Sequence, residues 1–334
     1  MSAQEYKKQV FEAVQNLLWK QWTALGVPGH IATSKSNTVL DPEALLVFSA
    51  RFARYDQRLY DLILDWLQVH SSQINIQRLK ALHAKSEWKD SASLGYMSAI
   101  AAKTNPIRWK KPAMDYLPDD ASSPVALFLD EDGEPERYIP RQDEQALKYG
   151  FLRNVRIDDA QKMSAFLPKT TATLLLRMRG FLGISARAET LLVLLTSPRC
   201  KMQDIVDRSG FTWKSIQDVL GELTSGGYVS SVDGVSRGKL YDLPEPDSIR
   251  KLFGIRQGCL FPNWLCIYDA IGLLWQTVSN PRLSEVSEET FSHELDSLYV
   301  DRLRRKLLKS GHPALCKTNW DRTSFPSLIS SLAE

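Results

Sequence analysis

A chain of 334 residues, 43% hydrophobic and 24% charged, is long and apolar enough to bury the cores of two or three domains. Its net charge of +3 is too small to demand a nucleic-acid or membrane partner on charge alone. No stretch approaches the roughly 20 apolar residues of a membrane span, and the opening MSAQEYKKQVFEAV lacks the apolar run of a signal peptide. A cytoplasmic protein with no membrane partner is expected.

Residues from about Gln4 to Leu25 predict an amphipathic helix, with Val10, Val14, Leu17, Leu18 and Trp22 on one side. Gly26-Val27-Pro28-Gly29 breaks it. Asp41-Pro42 starts a second helix, with Asp41 as cap and proline at the first helical position, ending near Tyr55. Asp56 caps a third, on which Leu59, Leu62, Ile63, Trp66 and Leu67 form a continuous stripe. Ser71-Ser72 interrupts, and Ile76, Leu79 and Leu82 mark a fourth. A helical N-terminal domain over residues 1–85 follows from these stripes.

Between residues 86 and 169 the text changes. Pro106, Pro112, Pro118, Pro124, Pro135 and Pro140 punctuate it and helical periodicity is lost, which predicts an irregular insertion. Pro124–Leu129 and Arg137–Ile139 flank DEDGEPE, a candidate β-hairpin whose tip holds Asp130 and Asp132. Those carboxylates are read as a solvated turn, with Gly133 supplying the reversal, rather than as metal ligands. Thr170 to Gly180 then reads as a helix, with Arg177 and Arg179 directed at solvent in preference to DNA.

The stretch Ala186–Leu243 divides into three short helices and a hairpin. The first carries Leu191, Leu192, Leu194 and Leu195 and stops at Ser197-Pro198. The second runs from about Lys201 to Arg208, and Ser209-Gly210 turns the chain. Thr212 caps the third, whose Ile216, Val219, Leu220 and Leu223 follow helical spacing until Gly226-Gly227 ends it. Tyr228–Val232 alternates as a strand, Asp233-Gly234 reverses, and Lys239–Leu243 returns. With the apolar register facing inward, Lys214, Ser215, Gln217, Asp218 and Gly221 face out. Lys214 and Gln217 have the chemistry to meet guanine or adenine edges. Trp213 has two readings: its spacing to Ile216 and Leu220 favours packing, and its place at the helix start favours a DNA contact. Arg237 and Lys239 flank Gly238 at the hairpin tip, and Arg199 and Lys201 stand beside the second helix, all suited to phosphate. Seven basic residues face seven acidic ones here, so DNA binding requires that the charges separate by face.

This stretch, above all QDIVDRSGFTWKSIQDVLGELTSGGYVSSV, resembles the winged helix-turn-helix domains of bacterial transcription regulators. The resemblance covers about a sixth of the chain. It implies that the second helix of the turn pair enters the major groove of double-stranded DNA and the hairpin lies along its backbone, with Thr212, Trp213, Lys214, Ser215, Gln217, Arg237, Lys239, Arg199 and Lys201 as candidate contacts. A wider likeness joins the helices from Asp41 onward to Leu176-Arg177-Met178-Arg179-Gly180, Gly183 and Ala186-Arg187-Ala188-Glu189. That order is similar to a group of bacterial proteins found beside nucleotidyltransferase-type abortive-infection toxins, and implies a regulator or an antitoxin-like protein partner.

After the hairpin, Pro244 and Pro246 mark a boundary, and Asp247 caps a helix through Leu252. Pro262-Asn263-Trp264 opens LCIYDAIGLLWQTV, apolar nearly all round and therefore buried or dimer-forming. A helix from about Glu288 to Lys309 ends in a run of cations, which complement its dipole or face a partner. Cys200, Cys259, Cys266 and Cys316 show no metal-type spacing and read as free thiols. No phosphate loop, dinucleotide glycine pattern or nucleophile elbow is present, and the five histidines stand apart. The expectation is a mainly α protein, not an enzyme and without a cofactor, with a helical region at 1–85, an insertion at 86–169, a winged helix at 170–245 and C-terminal helices at 246–334. It is expected to regulate transcription as a homodimer on a two-fold DNA site, or else to act through a protein partner.

Overall fold

The computed structural model describes residues 1–29, 36–135, 141–157, 160, 163–197, 199–234, 238–317 and 321–332. The chain is mainly helical, with two small sheets among the described residues. Helix α1 (Ala3–Ala24) opens on Ser2, whose hydroxyl accepts from the Glu5 N–H while Glu5 answers to the Ser2 N–H. Asp41 caps α2 (Pro42–Phe52), Asp56 caps α3 (Gln57–His70) and Asn75 caps α4 (Ile76–Lys85). The predicted stripes of α1 and α3 are buried, apart from a half-buried Leu62.

Residues 91–115 differ from expectation. They form α5 (Ser91–Thr104), capped by Asp90, and α6 (Pro106–Asp115), with proline at its first position. Helix α5 buries Leu94, Gly95, Tyr96, Met97, Ser98 and Ile100, so it is covered on most sides and shows no polar–apolar alternation to read. Pro112 sits inside α6, where a break was expected. Strand β1 (Val125–Ala126) pairs in parallel with β2 (Phe151–Leu152), just after the single turn α7 (Glu144–Leu147). The acidic tip does reverse, closing on a Leu129–Pro135 bridge. The expected return strand, Arg137–Ile139, lies outside the described residues. Asp132 pairs with Lys7 of α1 at 2.9 Å.

Helices α8 (Leu174–Leu182), α9 (Ala186–Thr196), α10 (Met202–Ser209) and α11 (Trp213–Ser225) follow, with the two-residue strand β3 (Cys200–Lys201) before α10. Strands β4 (Ser230–Asp233) and β5 (Lys239–Asp242) form the predicted antiparallel hairpin, and β3 adds to it in the order β3-β5-β4. Then come α12 (Pro246–Phe253), α13 (Trp264–Val278), α14 (Pro281–Ser284) and α15 (Glu288–Leu298). A π-helical turn over Tyr299–Leu303 joins α15 to α16 (Arg304–Ser310), and α17 (Pro313–Lys317) and α18 (Phe325–Ser331) complete the chain.

Two apolar clusters organise these elements. The larger takes side chains from α1 to α5 and also from α13, α15, α16 and α18, so the two ends of the chain share a core. Helix α13 is at its centre. Tyr268 stacks on Phe48, its hydroxyl donates to the Gln21 side chain at 2.9 Å, and Trp264 Nε1 donates to the Val39 carbonyl at 2.8 Å. Gly272 lies under Trp88, where a Cβ would come within 2.3 Å of the indole. Most of the apolar circumference of α13 is therefore used inside its own chain, with Leu265 and Cys266 half-buried. The smaller cluster takes Leu174, Leu175, Met178, the leucines of α9, Ile205, Ile216, Leu220, Val229, Leu243 and Phe253.

A buried ionic network joins the two clusters. Arg78 Nη1 of α4 reaches Asp41 and Glu43, each at 2.6 Å, and its Nε donates to the carbonyl of Ser209. Arg179 of α8 reaches Glu43 at 2.6 Å and Glu189 of α9 at 2.5 Å. All five side chains are within 4% of full burial. Arg179 was expected at solvent; it is enclosed because three carboxylates converge on it and its neighbour. Arg177 is also engaged, donating through Nη2 to the Phe253 carbonyl at 2.9 Å. Burial alone would raise the Glu43 carboxyl pKa, but Arg179 and Arg78 outweigh it and hold the group below the usual carboxylate value.

Candidate functional site

The predicted contacts gather around the start of α11 and the edge of the three-stranded sheet. Gly210 ends α10 in the left-handed conformation, φ +73°, and an added Cβ would lie 2.8 Å from Leu82 of α4. The turn before α11 is thus seated on the helical body as well as held by Arg78. Thr212 caps α11, its Oγ1 accepting from the Ser215 N–H at 3.2 Å and lying 2.9 Å from the Ser215 hydroxyl. Those two side chains are committed to the helix start.

Ile216, Val219, Leu220 and Leu223 are buried, which sets the register. Lys214 and Gln217 are exposed, as that register requires. Trp213, for which packing was the favoured reading, is 48% exposed. Lys214 Nζ pairs with Asp218 Oδ1 at 2.9 Å, and both remain solvated, so the pair contributes little stability and leaves the ammonium accessible. Arg187 of α9 bridges to Glu222 of α11.

On the sheet side, β3 pairs Lys201 with β5, with Arg199 just before it, a relation absent from the sequence pattern because two residues give no strand signal. Arg199 has φ +58° and an exposed side chain 3.7 Å from Asp242. Lys201 is exposed, and its main-chain N–H donates to Asp204 at 2.9 Å. Lys239 is exposed and stands opposite Asp233 in the hairpin register. Arg237 lies outside the described residues.

Two hollows flank this surface, and neither was foreseen. The first, about 420 Å³, is an apolar groove between α8, α9, α11 and α12, with Phe181, Leu191, Tyr228, Leu252 and Phe253 in its walls and the Arg187–Glu222 pair at its rim. Phe181, Tyr228 and Leu252 are each more than 60% exposed. The second, about 430 Å³, is a charged cleft between the end of α4, the α10–α11 turn, α13 and α16. The cationic run predicted at the end of the Glu288–Lys309 helix lines it.

Burial pushes the thiols of Cys200, Cys259 and Cys266 up to about 11, so each is protonated near neutral pH. Among the described residues no group of His, Cys, Asp and Glu has the arrangement to hold a metal ion, and no helix is long and apolar enough to cross a membrane. No protein-family model, curated protein or solved structure matches the chain.

Proposed function

We propose that Ala186–Leu243 is a winged helix-turn-helix and that the chain binds double-stranded DNA in transcriptional control, through α11 and the β4–β5 hairpin. The observation that carries this reading is the division of α11. One face is buried in the smaller core, while Trp213, Lys214 and Gln217 stand exposed at its N-terminal end, the part of such a helix that meets base edges. The order α9, β3, α10, turn, α11, hairpin supports it, because a hairpin closed by a strand between the first two helices is the winged arrangement. Lys239 and Lys201 supply cations suited to phosphate beside that face. A two-fold site would be read by two copies, associating through a surface other than α13.

Binding of the full chain to duplex DNA, followed over a salt series, tests the reading. Lys214→Ala should reduce the slope of log affinity against log salt by about one if it meets phosphate. If it meets a base, the loss is roughly 1–3 kcal/mol with relaxed sequence preference. Unchanged affinity and slope reject the assignment.

A second reading, use of the same unit to hold a protein, is favoured by the apolar groove. Exposed aromatic and aliphatic side chains around a hollow of that size suit an apolar anchor from a partner. A Phe181→Ser, Leu252→Ser variant separates the two: it should leave DNA affinity intact under the first reading and abolish partner capture under the second.

A further inference from the structure

The charged cleft behind the α10–α11 turn has a charge balance that its composition hides. Five cations and four carboxylates line it, but the carboxylates are mostly engaged. Glu87 is met twice, by Arg302 at 3.0 Å and Lys306 at 2.7 Å. Asp269 Oδ1 accepts from the Ser86 hydroxyl at 2.7 Å and from the Glu87 and Trp88 N–H groups, and its Oδ2 lies 3.6 Å from Lys306. Asp207 accepts from the Gln203 amide at 2.8 Å. Lys85, Arg305 and Lys309 have no ion pair with any described residue; of the cleft's carboxylates, Asp207 and Asp301 are in the same condition, so three unpaired cations face two unpaired carboxylates.

The backbone adds a second, independent feature. The helix that carries Arg302, Arg305, Lys306 and Lys309 is not uniform: a π-helical turn at Tyr299–Leu303 interrupts it where it enters the cleft. Such turns are rare within α-helices and are frequent at functional sites. The three unpaired cations come from two separate elements, α4 and α16, facing one hollow of about 430 Å³. That volume admits a small molecule and is too confined for a duplex.

We propose that this cleft binds a small phosphate-bearing anion, of a size up to a nucleotide, with Lys85, Arg305 and Lys309 as its cationic contacts. The lining includes Gly210, the turn residue before α11, so the ligand would lie beside the joint on which the proposed DNA-reading helix is mounted. Binding at the cleft does not itself depend on the DNA reading.

Calorimetric titration of the full chain with inorganic pyrophosphate, at constant ionic strength and without DNA, tests the site. A saturable single-site isotherm is expected. Arg305→Ala combined with Lys309→Ala should weaken it at least about tenfold, since each lost charge-assisted contact is worth a severalfold factor. Lys110→Ala, an exposed cation of α6 remote from the cleft, should leave it unchanged. Thermal unfolding of each variant verifies that the fold is retained. No saturable heat, equal binding by the double variant, or equal weakening by Lys110→Ala overturns the proposal. If the double variant lowers DNA affinity while pyrophosphate gives no saturable heat, the cations belong to a DNA footprint and the small-anion site is likewise overturned.

Discussion

At the scale of single residues, the joint around Glu43 carries the largest electrostatic commitment of the described chain. Its carboxylate lies between Arg78 and Arg179, with the Asn75 N–H donating to it at 2.7 Å. Removing one member leaves the others buried and uncompensated, which in comparable networks costs about 3–5 kcal/mol. Glu43→Gln should therefore destabilise the chain by an amount of that order in denaturant unfolding. A change within about 0.5 kcal/mol, the range of exposed substitutions, would contradict the account of the network. His83 gives a pH signature. Burial, with Lys89 adding to it, pushes its imidazole from 6.5 down to about 4, while its ring lies 3.2 Å from Ser91 Oγ and against Tyr116. A histidine held neutral in the fold and free to protonate when unfolded favours the native state fully above 6.5. That contribution is lost as pH falls toward 4. Stability should decline across that window, and His83→Gln should flatten the decline; an unchanged pH profile in the variant would exclude His83 as its source. Lys214 and Gln217 were legible in the sequence, because a four-residue apolar register decides which side faces out. Arg179 was not: its position depends on Glu43, 136 residues away, and no local pattern reports such a partner.

At the scale of elements, legibility followed amphipathicity. Helices α1, α3 and α11 each bury one stripe and were readable from spacing. Helix α5 is covered on most sides and β3 is two residues long, so neither has a periodic signal. The same reasoning explains α13, whose uniformly apolar surface was readable as buried or associating but not as one rather than the other; packing against α1, α2 and α16 decides it. The α10–α11 turn offers the sharpest test of how α11 is mounted. Gly210 combines φ +73° with the Leu82 side chain where a Cβ would stand. Gly210→Ala should cost roughly 1–3 kcal/mol for the left-handed backbone. Leu82→Ala in the same chain should relieve the contact without restoring the backbone term. If Gly210→Ala unfolds at the parent's midpoint, the turn is not seated as described.

At the scale of the whole molecule, the N- and C-terminal helices close one core, and the tri-helical unit with its hairpin is bolted to that core by the Arg78–Glu43–Arg179 network and by the Gly210 turn. The main partners of α1, helices α13 and α18, arrive only at the other end of the sequence, whereas α2 packs on α4 and α5 as well as on α13. Such a mounting presents α11 in a fixed orientation, which is the condition for reading DNA with few side chains. The most direct measurement is selection of duplexes bound by the full chain from a random pool, with the parent compared against a Lys214→Ala, Gln217→Ala variant. The account predicts that the parent enriches a defined sequence with salt-dependent affinity and that the variant loses that enrichment while remaining folded. No enrichment by the parent, or the same enriched sequence at the same affinity for the variant, would contradict it.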